Sequence, residues 1–171
     1  MSRVFRFALL LFALAPSLNA QAILPRGNAF LGYSYNYISA PSQGFANNLN
    51  GWEFSGEGQI APFFGIVGDY SNYYGTNRTH QQNFMVGPRL SMNVGRVTPF
   101  AQLLVGPAHL SVNSVSNTSS STTFANSIGG GVDWNISGPV AWRFQGDYIH
   151  TSFYGGAQNN LRLSTGIVFR F

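Results

Sequence analysis

The chain has 171 residues, of which only 8% are charged, and nine arginines against five acidic residues give a formal net charge of +4. Because soluble domains average roughly 25% charged residues, a surface so poor in charge would be weakly solvated in water. The charge is too small and too scattered to predict nucleic-acid binding, and the absence of cysteine excludes disulfide scaffolds, lipid attachment at cysteine, zinc fingers and cysteine nucleophiles.

The first 22 residues have the layout of a secretory signal peptide. Two arginines precede an apolar run over residues 7–15, which is too short to span a bilayer because a spanning helix needs about 20 such residues. Ala20 and Ala22 fit the A-x-A cleavage pattern, so we predict a mature chain that begins at Ile23. Cleavage after Ala20 is the alternative, and an uncleaved anchor is the competing interpretation. Loss of the two arginines lowers the net charge from +4 to about +2.

Eight segments of the mature chain alternate between apolar and polar side chains with a period of two, which is typical of half-buried strands. The fifth segment is the least regular, because both of its faces are apolar in places. No comparable stretch has the period of a helix. In chain order the segments lie near residues 28–37, 50–60, 64–72, 82–93, 97–110, 123–136, 140–151 and 161–171.

The connections between these segments alternate in length. Long, polar connections follow the odd-numbered segments, and short turns follow the second, fourth and sixth. This alternation is typical of outer-membrane barrels, whose short turns face the periplasm. The sequence therefore predicts an all-β fold, an eight-stranded antiparallel up-and-down transmembrane β-barrel. The long connections are residues 38–49, 73–81, 111–122 and 152–160, and the short turns are residues 61–63, 94–96 and 137–139.

The charged residues provide a separate test of this arrangement. All five acids and four of the arginines fall on the faces opposite the aromatic side chains, as they must if those faces avoid lipid, where a charge costs about 2–4 kcal/mol at the midplane. An eight-stranded barrel is just wide enough for side chains to fill its interior. We therefore predict an interior charge network of Glu53, Glu57, Asp69, Arg89, Asp133, Arg143, Asp147, Arg162 and Arg170.

Two interpretations of this interior remain open. In the first, the arginines pair with the carboxylates through charge-assisted hydrogen bonds and hold the barrel together. In the second, the polar face lines a narrow channel or proton path, with Glu57, Asp69, Arg89 and Arg143 as the lining residues. The near balance of the two charge signs favours the first.

The last segment alternates strictly and ends on Phe171. In a closed barrel this strand pairs with the first, so that no hydrogen-bonding edge faces lipid. With these features the chain resembles the small OmpA-like and OmpX-like outer-membrane barrels over residues 23–171. The resemblance implies a location in the outer membrane of a Gram-negative bacterium and a terminal signal read by the barrel-assembly machinery, which maps onto Leu163, Thr165, Ile167, Phe169 and Phe171. Larger members carry a peptidoglycan-binding domain that this sequence lacks, so cell-wall anchoring is not implied.

For function, the sequence predicts a structural or surface-interaction role, without a cofactor and without catalysis. The expected partners are outer-membrane lipid and lipopolysaccharide, together with an extracellular ligand or host surface that the long connections would contact. No metal site is predicted, because His80, His109 and His150 lie in different segments.

A lipid A hydrolase is the remaining alternative. His150 and Ser152 have the His-x-Ser spacing found in outer-membrane lipid A deacylases, and residues two apart share one face of a strand. A nucleophilic serine needs a histidine oriented by an acid. No acid follows Asp147, whose own side chain is predicted to point inward.

Overall fold

A computed structural model describes residues 26–38, 48–75, 79–113, 118–153 and 156–171. The predicted signal peptide and its cleavage site lie outside these residues. The eight strands are β1 (Gly27–Ile38), β2 (Asn48–Ala61), β3 (Phe64–Tyr74), β4 (Thr79–Ser91), β5 (Val97–Asn113), β6 (Thr118–Ser137), β7 (Val140–Phe153) and β8 (Gly156–Arg170). Within the described part of the chain, no helix is long and apolar enough to cross a membrane.

Each strand pairs antiparallel with the next, and β8 pairs with β1 to close a barrel. The closing register places Phe30 opposite Val168 and Gly32 opposite Gly166. Closure leaves the described strands without an open edge, so their backbone N–H and C=O groups bond to neighbouring strands. The predicted eight-stranded antiparallel barrel is confirmed.

Tight connections join β2 to β3, β4 to β5 and β6 to β7, and all three lie at one end of the barrel, called here the short-turn end. Two of them use a glycine with positive φ, Gly95 at 65° and Gly138 at 52°. Glycine adopts this backbone conformation without the steric cost that a Cβ atom would impose.

At the opposite end, the strands continue into segments predicted to be loops. Ser111 pairs with Ser120 and Asn113 with Thr118, so β5 and β6 extend well into the predicted connection 111–122. Ser152 pairs with Ala157 in the same way. The predicted loops were too long because backbone pairing continues along a hairpin without an apolar face, and serine and threonine place no steric obstacle in the ladder.

The two faces of the wall differ sharply. The outward faces of all eight strands carry large apolar side chains that are 38–65% exposed, and we call this set the apolar belt. It consists of Leu31, Tyr33, Trp52, Phe54, Ile66, Phe84, Val86, Leu90, Leu103, Val105, Phe124, Ile128, Trp134, Trp142, Phe144, Tyr148, Leu161, Leu163, Ile167 and Phe169.

An apolar cluster fills the side of the interior that β3 to β7 enclose. Inward-facing Leu104, Ala108 and Leu110 supply the β5 part of it, while Leu103 and Val105 of the same strand face outward. This arrangement explains why both faces of the fifth segment are apolar in the sequence. The whole cluster comprises Val67, Met85, Leu104, Ala108, Leu110, Ala125 and Ile149.

Candidate functional site

One guanidinium lies among three carboxylates in the middle of the barrel. Arg162 Nη1 is 2.9 Å from Asp69 Oδ1 and 3.6 Å from Glu53 Oε2, and Arg162 Nη2 is 2.9 Å from Asp147 Oδ2. Asp147 is the direct cross-strand neighbour of Arg162 on β7, whereas Asp69 belongs to β3, which does not adjoin β8. These four residues, called here the Arg162 cluster, therefore join distant parts of the wall through the lumen.

The Arg162 cluster contains three carboxylates and one guanidinium, and neutral side chains supply further hydrogen bonds to the carboxylates. Gln145 Nε2 donates to Glu53 Oε1 at 3.0 Å and to Asp147 Oδ2 at 2.8 Å, and Ser164 Oγ donates to Glu53 Oε2 at 2.5 Å. Side-chain amides and hydroxyls can thus supply hydrogen bonds to buried charge where a second cation is missing.

A second group of charges lies closer to the short-turn end. Arg143 binds Asp133 with two parallel contacts, Nε to Oδ1 at 2.6 Å and Nη2 to Oδ2 at 2.9 Å, which is the bidentate geometry that arginine forms with carboxylates. Arg89 Nη1 lies 3.0 Å from Glu57 Oε2, and Arg170 Nη2 lies 3.5 Å from Asp133 Oδ2. These five residues form what we call the short-turn cluster.

Gln102 connects the two clusters. Its Oε1 accepts from Arg89 Nε at 3.0 Å and from Nη2 at 2.6 Å, while its Nε2 donates to Asp147 Oδ1 at 2.7 Å. All nine residues predicted to form the interior charge network therefore lie in two adjoining clusters, and every one except the partly exposed Arg170 is at least nine-tenths buried.

Two inward-facing phenylalanines belong to this site although the sequence analysis did not select them. The Arg89 guanidinium carbon lies 4.4 Å from the Phe100 ring centroid and that of Arg143 lies 4.7 Å from it. Phe30 packs at 5.0 Å from the guanidinium carbon of Arg143. For Phe30 the alternation of the first segment indicates the inward face, since this residue is out of phase with the outward-facing Leu31 and Tyr33. Phe100 lies in the fifth segment, whose irregular pattern indicates neither face.

The interior is also filled towards the end opposite the short turns. There the buried side chains of Ile38, Leu49 and Tyr73 form an apolar cluster, and Tyr73 Oη lies 3.0 Å from Ser34 Oγ. Together with the larger apolar cluster of β3 to β7, these side chains fill the lumen on that side of the Arg162 cluster.

The residues predicted to form the terminal assembly signal lie on the outer wall of β8. Leu163, Ile167, Phe169 and Phe171 are 40–59% exposed, and Thr165 Oγ1 accepts a hydrogen bond from Trp142 Nε1 at 2.8 Å. The backbone of Phe171 exchanges two hydrogen bonds of 3.0 Å with Gly27, N to O in each direction, so pairing between the first and last strands extends beyond the end of β8.

His150 faces outward near the end opposite the short turns, and its Nδ1 lies 2.8 Å from Asn159 Oδ1. The Ser152 side chain lies outside the described residues. Within the described residues the contact that orients this imidazole comes from an amide and not from a carboxylate, and the arrangement carries no argument for hydrolysis. The part of the chain that is described contains no group of three or more histidine, aspartate or glutamate side chains able to hold a metal ion.

No family model matches the sequence, and no curated protein matches it. Among solved structures the fold is similar to that of Neisserial surface protein A, with a TM-score of 0.68 and 14% identity over 85% of this chain and 96% of that one. It is also similar to Ail, the attachment invasion locus protein of Yersinia pestis, with a TM-score of 0.58 and 14% identity over 85% and 99%.

A further similar structure is the outer membrane protein OprG from Pseudomonas aeruginosa, with a TM-score of 0.56 and 9% identity over 86% of this chain and 96% of that one. These similarities confirm the predicted fold, which is that of small outer-membrane β-barrels. The described strands and their closure account for almost the whole of each matched chain, so the similarity concerns the barrel itself.

Proposed function

We propose that this chain is an integral outer-membrane β-barrel protein of a Gram-negative bacterium, with a structural or surface-interaction role. One observation carries the proposal: the described wall is apolar outside and charged inside. In water, an exposed apolar belt around the whole circumference would cause aggregation, because soluble monomers rarely expose apolar patches larger than a few hundred Å². In lipid, the same belt is the solvated surface.

The packing of the interior favours a barrel with a filled lumen and argues against a channel. Of the four residues proposed as channel lining, Glu57 pairs with Arg89, Asp69 with Arg162, and Arg143 with Asp133. An ion crossing the barrel would have to displace these pairs and then pass the apolar side chains around Tyr73 and Leu104. We infer that the interior charge network stabilises the barrel and conducts no ions.

With the short turns in the periplasm, the β5–β6 hairpin extends furthest on the extracellular side. Its outward-facing His109 binds Thr122, with Nδ1 2.8 Å from Oγ1, and beyond this pair the described side chains that face outward, Ser111 and Ser120, are small and polar. Ail has been solved in complex with the heparin analogue sucrose octasulfate. The small, polar outward side chains of this hairpin are suited to hydrogen bonds with sugars, so we propose contact with sugars of lipopolysaccharide or of a host surface.

We further propose that residues 1–22 form a signal peptide, that residues 23–171 form the barrel domain, and that the outer face of β8 ending at Phe171 is recognised by the barrel-assembly machinery. The exposed alternation of Leu163, Ile167 and Phe169 supports this recognition. These side chains lie on the strand that closes the barrel, where an assembly factor would have access before closure.

Fractionation of expressing cells tests the proposal. The outer-membrane fraction is run on a denaturing gel with and without boiling, since a closed barrel resists detergent and changes mobility when heated. We expect the protein in the outer-membrane fraction with a heat-dependent shift. A soluble periplasmic protein without a shift would overturn the proposed function.

A further inference from the structure

The short-turn end of the barrel contains a cavity of about 460 Å³. Four arginines line it, Arg26, Arg89, Arg143 and Arg170, against two carboxylates, Glu57 and Asp133. The lining side chains therefore carry a formal charge of +2, and a terminal carboxylate at Phe171 would still leave the balance positive. An excess of positive charge in a cleft attracts anions.

Each of the two carboxylates is paired with an arginine. Asp133 accepts both parallel bonds from Arg143 and lies near Arg170, and Glu57 Oε2 accepts from Arg89 at 3.0 Å and from Asn28 Nδ2 at 2.7 Å. Two carboxylates cannot balance four guanidiniums, so the lining keeps an excess of positive charge among the described residues.

Among the arginines that line the cavity, one buried guanidinium nitrogen has no hydrogen-bond acceptor in the described residues. Arg143 is fully buried, and its Nη1 atom makes no hydrogen bond. A buried charged donor without an acceptor is costly, and this one belongs to a residue that lines the cavity.

Three of the four guanidiniums are held in place before any ligand arrives. Phe100 contacts both Arg89 and Arg143 through its ring, Phe30 contacts Arg143, and Thr98 accepts from Arg170 Nη2 at 3.2 Å. A site that is ordered in advance loses little conformational entropy on binding, and planar guanidinium groups match the oxygens of phosphate groups.

We propose that this cavity binds an oxyanion of the phosphate class on the periplasmic side of the barrel. The periplasmic assignment rests on the proposed function, whereas the site itself rests on the cavity and its arginines. Two sources supply this chemistry at the membrane surface, a soluble phosphorylated anion and the headgroup of an anionic phospholipid.

The test uses the full mature chain, refolded in zwitterionic detergent micelles and shown to be folded by its heat-dependent gel shift. Inorganic pyrophosphate is titrated calorimetrically at constant ionic strength, with sodium chloride as the reference. We expect saturable binding of one pyrophosphate, weakened at least fivefold in Arg170→Gln and in Arg26→Gln. Both residues lie at the accessible rim, so that folding is retained.

Arg96→Gln is the matched control, because Arg96 is an exposed arginine at the same end that does not line the cavity. Wild-type affinity in Arg96→Gln supports a defined site, whereas equal weakening in all three variants would reduce the effect to general charge attraction and overturn the proposal. Absence of saturable binding to the folded barrel also overturns it and leaves the proposed membrane function unaffected.

Nanodiscs then distinguish the two sources. Pyrophosphate is titrated into barrels in discs of phosphatidylcholine alone and in discs that contain phosphatidylglycerol. Weaker apparent binding in the second disc that persists at an ionic strength high enough to screen the surface charge of the disc supports the site and identifies the lipid headgroup as a competing occupant. Equal binding in both discs supports the site and assigns it to a soluble anion.

Discussion

Arg162 of β8 and Asp69 of β3 form an ion pair of 2.9 Å between Nη1 and Oδ1 across the lumen of the barrel. The two strands are not neighbours in the sheet, so this contact adds a connection that the backbone ladder does not provide. Both side chains are fully buried, and the loss of either would leave the other charged and unpaired in a low-dielectric interior.

Arg162→Ala should therefore lower the free energy of unfolding by about 3–5 kcal/mol, as removal of one member of a buried ion pair generally does. The measurement is urea unfolding in lipid vesicles, followed by tryptophan fluorescence. Arg96→Ala, which removes an exposed arginine of a short turn, should change the value by less than about 0.5 kcal/mol. Similar losses in the two variants would contradict a stabilising role for the Arg162 cluster.

Arg143→Ala should lower the thermal unfolding midpoint more than Arg78→Ala does. Arg143 binds Asp133 through two hydrogen bonds. The substitution by alanine would leave that buried carboxylate without its bidentate partner. Arg78 lies outside the described residues, in the connection between β3 and β4. The temperature of the heat-dependent gel shift reports both midpoints, and equal effects would contradict the assignment of a buried, paired role to Arg143.

Ile128→Arg should destabilise the folded barrel by about 2–4 kcal/mol, the cost of an arginine near the midplane of a bilayer. Ile128 is 60% exposed on the outer wall of β6, a position where a soluble protein would accept a charge readily. Ser120→Arg, on the extended part of the same strand, serves as the control and should be nearly neutral. Equilibrium unfolding in vesicles compares the two, and a neutral Ile128→Arg would place this face in water.

Phe171→Ser should reduce the fraction of protein that assembles in the outer membrane of cells and leave refolding in detergent largely unchanged. The reason is that recognition by the assembly machinery is needed only in cells. Phe63→Ser is the matched control, since Phe63 is another exposed phenylalanine, 61% against 59%, in a short turn. Equal defects in the two variants, or a defect in detergent alone, would assign Phe171 a purely structural role.

The wild-type barrel should show no discrete conductance steps in planar lipid bilayers, because its interior ion pairs and apolar clusters fill the lumen. An established porin recorded in the same bilayers verifies detection. Reproducible steps that change size in Arg89→Ala would favour the channel alternative, since Arg89 is one of its four predicted lining residues.

The alternation of the sequence predicts an inward face for nine charges, because a strand offers only two faces and one of them is excluded for charges in lipid. It did not predict the partners of these charges. Arg162 meets Asp69 only because closure of the barrel brings β8 and β3 to opposite sides of one narrow lumen, and the stagger between the strands sets which residues are level. The spacing of residues along the sequence determines neither the arrangement of the strands around the lumen nor the stagger between them.

Strand ends and inward aromatic residues were predicted less well. The β5–β6 hairpin continues through Ser111 and Ser120, where pairing depends on backbone hydrogen bonds and leaves no apolar pattern. Phe100 faces inward because two guanidiniums give its ring polar contacts. A count of apolar residues alone would place the same side chain in lipid.

The Arg162 cluster also sets an order of events when the chain becomes a barrel. Glu53, Asp69 and Asp147 precede Arg162 along the chain, and their shared counter-charge arrives only with β8. Until β8 pairs with β7, three carboxylates lack this guanidinium, and burial of their charges in a wall without β8 would require water in the interior. We therefore expect the interior to lose its water only when β8 joins the wall, the same strand that closes the barrel against β1.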